Sequence, residues 1–96
     1  MAIQSFADRE AWEFFETGTL GKRIPWRNVK KIVRRKLDML HYAAQLLDLR
    51  SPPGNCLEGL RGDLKGFYSI RVNDQWRIVF RWGRQGPEEV RVMDYH

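Results

Sequence analysis

The sequence predicts an α+β domain in which two N-terminal helices pack on one face of an antiparallel sheet. Two observations predict it. The first half of the chain shows helical spacing bounded by capping residues, and the second half alternates apolar and polar residues between turn-forming clusters. Helices followed by a run of short strands give segregated layers, whereas parallel βαβ units would interleave the two. The 96 residues suffice for one core, so residues 1–96 are expected to form a single domain.

Residues 3–6, IQSF, suit a short edge strand. Asp8 then stands as an N-cap before REAWEFFET, and Gly18 closes that helix. Its Ala11, Trp12, Phe14 and Phe15 are too apolar to leave in water, so the helix should dock on the sheet or on the second helix. After the glycine-bearing loop TGTLGKRIP, the second helix opens at Pro25 or Trp26, where the fixed φ of proline is tolerated, and runs to about Leu47.

On that helix Val29, Ile32, Val33, Leu37, Leu40, Ala43, Ala44 and Leu47 fall within an arc of roughly 140° at about 100° per residue, wide enough to cover a sheet. The opposite face carries Arg27, Lys30, Lys31, Arg34 and Arg35, with Asp38 as its acidic interruption. Such a face is usually a solvated one. Here it lacks the alternating charges of an ion-paired helix, which leaves it open to an anionic partner. Lys36 falls inside the apolar stripe and is expected to snorkel out.

The stretch LRSPPGNC at 49–56 stops the helix, LEGL at 57–60 supplies a short strand, and RGDLK turns into GFYSIRVNDQWRIVFRW at 66–82, a β-hairpin. A two-residue loop at Asn73 and Asp74 would place Ile70 on the same face as Arg77. A three-residue loop of Asn73, Asp74 and Gln75 instead sets Val72 against Trp76, Ile70 against Ile78 and Tyr68 against Phe80, which makes one face continuously apolar. The other face then carries Phe67, Ser69, Arg71, Arg77, Val79 and Arg81. Taken alone it reads as a solvated outer face, although interleaved rings and guanidinium groups also suit RNA. GRQGP at 83–87 leads into a last strand, EEVRVMD. There Val90 and Val92 point to the core, and Arg91, Met93 and Tyr95 to the arginine face.

Lys and Arg number 17 against 12 Asp and Glu, a net charge of +5, which favours a polyanionic partner: nucleic acid first, an acidic protein second, an anionic membrane surface third. No stretch approaches the roughly 18 apolar residues of a spanning helix, and MAIQSFADREAWEFF lacks the layout of a secretory signal, so the cytoplasm is the expected location. Cys56 is the single cysteine and His41 and His96 are the two histidines, so neither a disulfide nor a zinc site is expected, and no metal or cofactor is assigned. A nucleophilic pairing of Cys56 with either histidine has no local signature, and a lone cysteine is more often a small core residue.

Taken together, LEGLRGDLKGFYSIRVNDQWRIVF and the terminal DYH resemble the HigB-like toxins, also called the plasmid-maintenance killer family, within the RelE/ParE superfamily. The resemblance covers essentially the whole chain, including SPPGN, and its strongest motifs are the NDQWRI hairpin and DYH. It implies a RelE/ParE-like fold and a toxin of a type II toxin–antitoxin system that enters the ribosomal A site and cleaves mRNA. It also implies a HigA-like helix-turn-helix antitoxin that holds the toxin inactive. Carried over by residue, Arg61 matches a basic position that contacts RNA phosphate, Arg77 matches the arginine after the hairpin tryptophan, and Asp94, Tyr95 and His96 match the terminal acidic, aromatic and imidazole groups. Where some HigB proteins carry a histidine implicated in the site, this chain has Glu58.

The reaction implied is attack of a ribose 2'-OH on the adjacent phosphate, which requires two proton transfers and stabilisation of growing oxyanion charge. Arg77, with Arg61, suits the charge because a guanidinium offers bidentate hydrogen bonds to phosphate oxygens. His96 is the natural proton carrier, Asp94 or the terminal carboxylate can orient it, and Tyr95 can donate a proton or stack on a base. Glu58 can act as a base or simply pair with Arg61. Arg71, Arg81, Lys30, Lys31 and Arg34 are the remaining candidates for RNA contact. Each has a bland reading as a surface cation, and without the resemblance His96 reads as a frayed end.

Two rivals remain. A ParE-like inhibitor of DNA gyrase would share the architecture but needs no acid–base set, and the DYH end argues against it. A nonenzymatic nucleic-acid-binding module is permitted by the basic helix face, but no helix-turn-helix spacing supports it.

Overall fold

The structure is a computed structural model that describes residues 2–95. Its helices are α1 (Arg9–Thr17) and α2 (Lys30–Tyr42), and its strands are β1 (Glu58–Gly59), β2 (Phe67–Arg71), β3 (Trp76–Gly83) and β4 (Gly86–Asp94). The strands form one sheet in the order β1-β2-β3-β4, every neighbour antiparallel. Both helices lie on one face of it, as the order of elements predicts.

Asp8 caps α1 from an extended backbone, its Oδ1 accepting from the Ala11 N–H at 3.2 Å. The helix closes at Gly18, whose left-handed φ of 76° lets its N–H reach the Phe14 carbonyl at 2.8 Å. Ala11 and Phe14 are buried, Phe15 is half-buried, and Trp12 stays exposed despite its size. Residues 3–6 form less than the expected strand. They make a single parallel bridge between Phe6 and Val90, with hydrogen bonds from Gln4 N–H to Pro87 O and from Val90 N–H to Ser5 O. These bonds cover part of the β4 edge, which would otherwise offer open backbone groups.

The second helix is shorter than its periodicity suggests. A 3₁₀ turn over Arg27–Val29 leads into α2, which stops at Tyr42, and Ala43 is extended. The Asp48 carboxylate explains the early end: its Oδ2 accepts from the N–H groups of Ala44 (2.9 Å) and Gln45 (3.1 Å). A short acidic side chain thus takes backbone donors that a continuing helix would bind, and a 3₁₀ turn, Leu46–Arg50, starts in its place. Val33, Leu37, Leu40 and Ala43 of the predicted stripe are buried, whereas Ala44 and Leu47 are exposed. Lys36 does not snorkel. It is 7% exposed, and its ammonium donates to Oδ1 of the fully buried Asn55. The 53–55 turn supplies a polar partner inside, so the side chain has no need to reach water.

The hairpin has the predicted register. Tyr68 faces Phe80 and Ile70 faces Ile78, and Val72 N–H donates to Trp76 O at 2.9 Å. The loop over 73–75 is closed by Asn73, whose Oδ1 accepts from the N–H groups of Gln75 and Trp76 at 2.9 and 2.7 Å. Ile70, Ile78, Phe80 and Val90 are fully buried against Val33, Leu37 and Leu40. Between Val79 and Arg81 the β3–β4 register shifts by one residue. The extra residue lies on β4, where Glu89 takes φ 51° and donates its N–H to Ser5 Oγ at 2.9 Å.

The sheet's second face is not the solvated surface that its charges suggest. Ser69 and Val79 are both 0% exposed. Their neighbours on this face are arginines and rings, whose stems and planes shield apolar surface while the charged tips stay wet.

Candidate active site on the outer sheet face

Hairpin parity puts Arg77 on the face away from the helices. Its Nη1 donates to Ser69 Oγ at 2.6 Å and to the Cys56 carbonyl at 3.3 Å, and lies 3.1 Å from Glu58 Oε1. The side chain is 12% exposed, so this cation is fixed rather than mobile. Its guanidinium carbon lies 4.9 Å from the centre of the Tyr95 ring, and the Tyr95 hydroxyl donates to the same Glu58 Oε1 at 3.2 Å. Tyr95 is itself held by its N–H to Gln75 O at 2.6 Å, which carries the β3–β4 pairing past the end of β4.

Glu58 reaches the cluster because β1 pairs with β2 so that Glu58 faces Ser69. Glu58, Gly59, Leu60, Arg61, Leu64 and Tyr95 line an adjoining cleft of about 440 Å³. Arg77, Glu58 and Tyr95 therefore converge, with Glu58 joined to the other two, and Arg61 lines the cleft beside Glu58 and Tyr95. A larger hollow of about 520 Å³, between residues 3–7 and α1, shows no comparable convergence of charge.

The other sequence-selected residues lie elsewhere. Asp94 sits opposite Trp76, on the sheet face away from Tyr95, and accepts from Gln75 Nε2 at 3.1 Å, so it is not brought to Arg77. Strand alternation forces neighbouring residues to opposite faces. His96 lies outside the described residues. Arg71 is on the Arg77 face, paired with Asp74 of the hairpin loop. Arg81 lies farther along that face over Phe67, 3.8 Å from Glu89. Lys30, Lys31 and Arg34 lie on the exposed side of α2, with the sheet between them and Arg77. There they border a shallow hollow with Phe14 and Gly18, and Arg34 pairs with Asp38 at 3.4 Å.

Sequence reasoning missed two groups that hold Arg77. Ser69 was legible in principle, since the hairpin register sets it on the same face. The Cys56 carbonyl was not, because it depends on a left-handed turn (φ 47°) at a residue other than glycine.

As a cluster, this site can present a fixed cation to an anion, with a carboxylate and a phenol beside it to move protons. A family model described as the RelE-like toxin of the type II toxin–antitoxin system HigB matches residues 4–96. The chain belongs to the HigB-like toxin family. Toxin HigB-1 of Vibrio cholerae serotype O1 is 43% identical over 82 residues, 85% of this chain and 84% of that protein. An uncharacterized protein of Haemophilus influenzae is 39% identical over 79 residues, 82% of this chain and 77% of that one. Among solved structures, the YoeB/ParE toxin from Agrobacterium tumefaciens superposes with a TM-score of 0.56 at 20% identity, covering 100% of both chains. A chain of the YoeB-YefM complex from Staphylococcus aureus gives 0.55 at 18%, covering 100% of this chain and 99% of that one. At such identities the structural likeness speaks for the RelE-like α+β fold. The HigB-like toxin thus has the family and fold that its hairpin and terminal motifs imply. Among the described residues no helix is long and apolar enough to cross a membrane.

Proposed function

We propose that this HigB-like toxin, acting as a single domain in the cytoplasm, is a metal-independent endoribonuclease that cleaves mRNA on the ribosome. The observation that carries the reading is Arg77, held on the outer sheet face by Ser69 and Cys56 and touching both Glu58 and Tyr95. The ribose 2'-oxygen attacks the adjacent phosphorus and the bond to the 5'-oxygen breaks, leaving a 2',3'-cyclic phosphate and a 5'-OH. Glu58 takes the 2'-proton, Arg77 with Arg61 stabilises charge on the non-bridging oxygens, and Tyr95 or His96 returns a proton to the leaving oxygen. Asp94, on the opposite face, orients the chain end rather than the phosphate.

Lys30, Lys31 and Arg34 on α2 grip ribosomal RNA, and Arg71 and Arg81 guide the message across the sheet. The family's toxin–antitoxin pairing supports a cognate partner, proposed to be a HigA-like helix-turn-helix antitoxin. The test is single-turnover cleavage on programmed ribosomes. Arg77→Ala should slow it by on the order of 100- to 1000-fold with ribosome binding retained, and deletion of His96 should also impair it. Parental rates in both variants would overturn the assignment.

A further inference from the structure

Beyond the Arg77 cluster, the outer sheet face holds a second group of charges whose contacts within the protein leave it incomplete. The guanidinium carbons of Arg81 and Arg91 lie 5.3 and 5.7 Å from the centre of one ring, that of Phe67. Two like charges are thereby drawn to one place. Little opposes them, since Glu89 reaches Arg81 only at 3.8 Å and no ion pair to Arg91 occurs among the described residues. Arg91 Nε is also buried without a hydrogen-bond partner, the one such side-chain atom among the described residues. A buried donor left unmade is unfavourable, and gathered cations repel, so both features fit a site completed by an anion from outside.

We propose that Arg81, Arg91 and Phe67 form a phosphate subsite for single-stranded RNA flanking the scissile position. Arg91 lies opposite Val79 on β3, midway between Arg77 and Arg81. At a rise of about 3.3 Å per residue, Arg77 and Arg81 are roughly 13 Å apart along the strand. A strand of RNA laid along β3 therefore meets Arg77 and then the Arg81 and Arg91 guanidinium groups gathered on Phe67. The guanidinium fork matches phosphate oxygens, and the ring beneath holds both forks in place before binding, so less freedom is lost on contact. The subsite rests on the reading of this face as the RNA-cleaving one.

The test is fluorescence anisotropy of the whole toxin with a labelled, fully 2'-O-methylated single-stranded oligoribonucleotide, which binds but cannot be cleaved. Arg91→Met keeps the aliphatic stem and removes the fork. It should weaken binding about 3- to 10-fold at low salt and flatten the log–log salt dependence by about one unit. Arg81→Met, at a side chain 50% exposed, provides a second variant that leaves folding intact, and it should act in the same direction. Unchanged affinity and salt slope in both variants, with melting temperatures retained, would overturn the subsite. So would parental RNA binding combined with weakened binding to the cognate antitoxin, which would make this an antitoxin surface. If RNA binding falls as expected while Arg77→Ala still cleaves at the parental rate, the subsite stands and the catalytic assignment falls.

Discussion

The Lys36 ammonium donates to Asn55 Oδ1 in the interior of the protein, and this bond ties α2 to the loop that feeds the candidate active site. Asn55 in turn donates from Nδ2 to the carbonyls of Leu49 (3.1 Å) and Ser51 (3.3 Å). The next residue, Cys56, offers its carbonyl to Arg77. A chain of polar contacts, buried at Lys36 and Asn55 and exposed at Cys56, therefore runs from the helix layer round the sheet to the cation on its far face. Asn55→Ala leaves the ammonium and both carbonyls without this partner, and should cost about 1–3 kcal/mol in denaturant melts. A loss within error would mean that water replaces the side chain.

Burial, followed by the nearby Arg35 and Arg71 charges, holds the Lys36 pKa below its ordinary 10.5, against a smaller opposing pull from Cys56. Between the folded and the ordinary value the unfolded chain binds more protons than the native one, so stability rises with pH. The penalty on the ammonium is in full force below the folded pKa, shrinks as the pH passes through it, and is gone above 10.5. Relative to Lys36→Met, the parent should gain stability as the pH is raised from neutrality towards that value. Parallel pH profiles for the two would refute this.

Ile78 and Val79 are both 0% exposed although they point to opposite faces of β3. Ile78→Ala should cost about 2–5 kcal/mol. Parity alone would make Val79→Ala nearly neutral, but the burial found on the outer face raises its cost to about 1–3 kcal/mol. A neutral Val79→Ala in chemical denaturation would show that the arginines do not shield this face in solution.

Glu58 Oε1 accepts from the Tyr95 hydroxyl and lies 3.1 Å from Arg77 Nη1 in an ion pair. Glu58→Gln keeps a carbonyl acceptor but cannot take a proton at neutral pH. If Glu58 is the base, single-turnover cleavage should fall by roughly 10²- to 10⁴-fold with ribosome affinity unchanged. A near-parental rate would reduce Glu58 to a counter-ion for Arg77.

Reversal of Lys30, Lys31 and Arg34 to Glu changes a surface separated from Arg77 by the sheet. Folding should survive, because the one ion pair lost, between Arg34 and Asp38, is exposed. Ribosome affinity should fall and its salt dependence flatten, while the rate for bound toxin holds. Ribosome affinity equal to the parent across a salt titration would exclude α2 from the contact.

Much of this protein was settled by interactions between near neighbours in sequence, and those parts were legible. The Asp8 cap, the Gly18 stop, the three-residue hairpin loop and the Tyr68–Phe80 and Ile70–Ile78 pairs follow from turn chemistry and a period of two. The same parity put Arg77 on the charged face and Val90 and Val92 in the core. Of the residues that the family resemblance pointed to, Glu58, Arg77 and Tyr95 touch one another in the fold, and Arg61 lines the cleft beside Glu58. Asp94 lies on the other sheet face, because adjacent strand residues diverge.

What only the tertiary structure decided lies in contacts that no local pattern encodes. Lys36 stays inside because Asn55, 19 residues on, meets it, and Tyr95 reaches Glu58 across 37 residues. Arg77 is pinned by a carbonyl 21 residues away, and Val79 is buried by side chains whose charges suggested an open face. Periodicity reports which way a side chain points. Whether that direction ends in water, in a partner or beneath an arginine stem depends on the arrival of distant segments, and packing alone sets that.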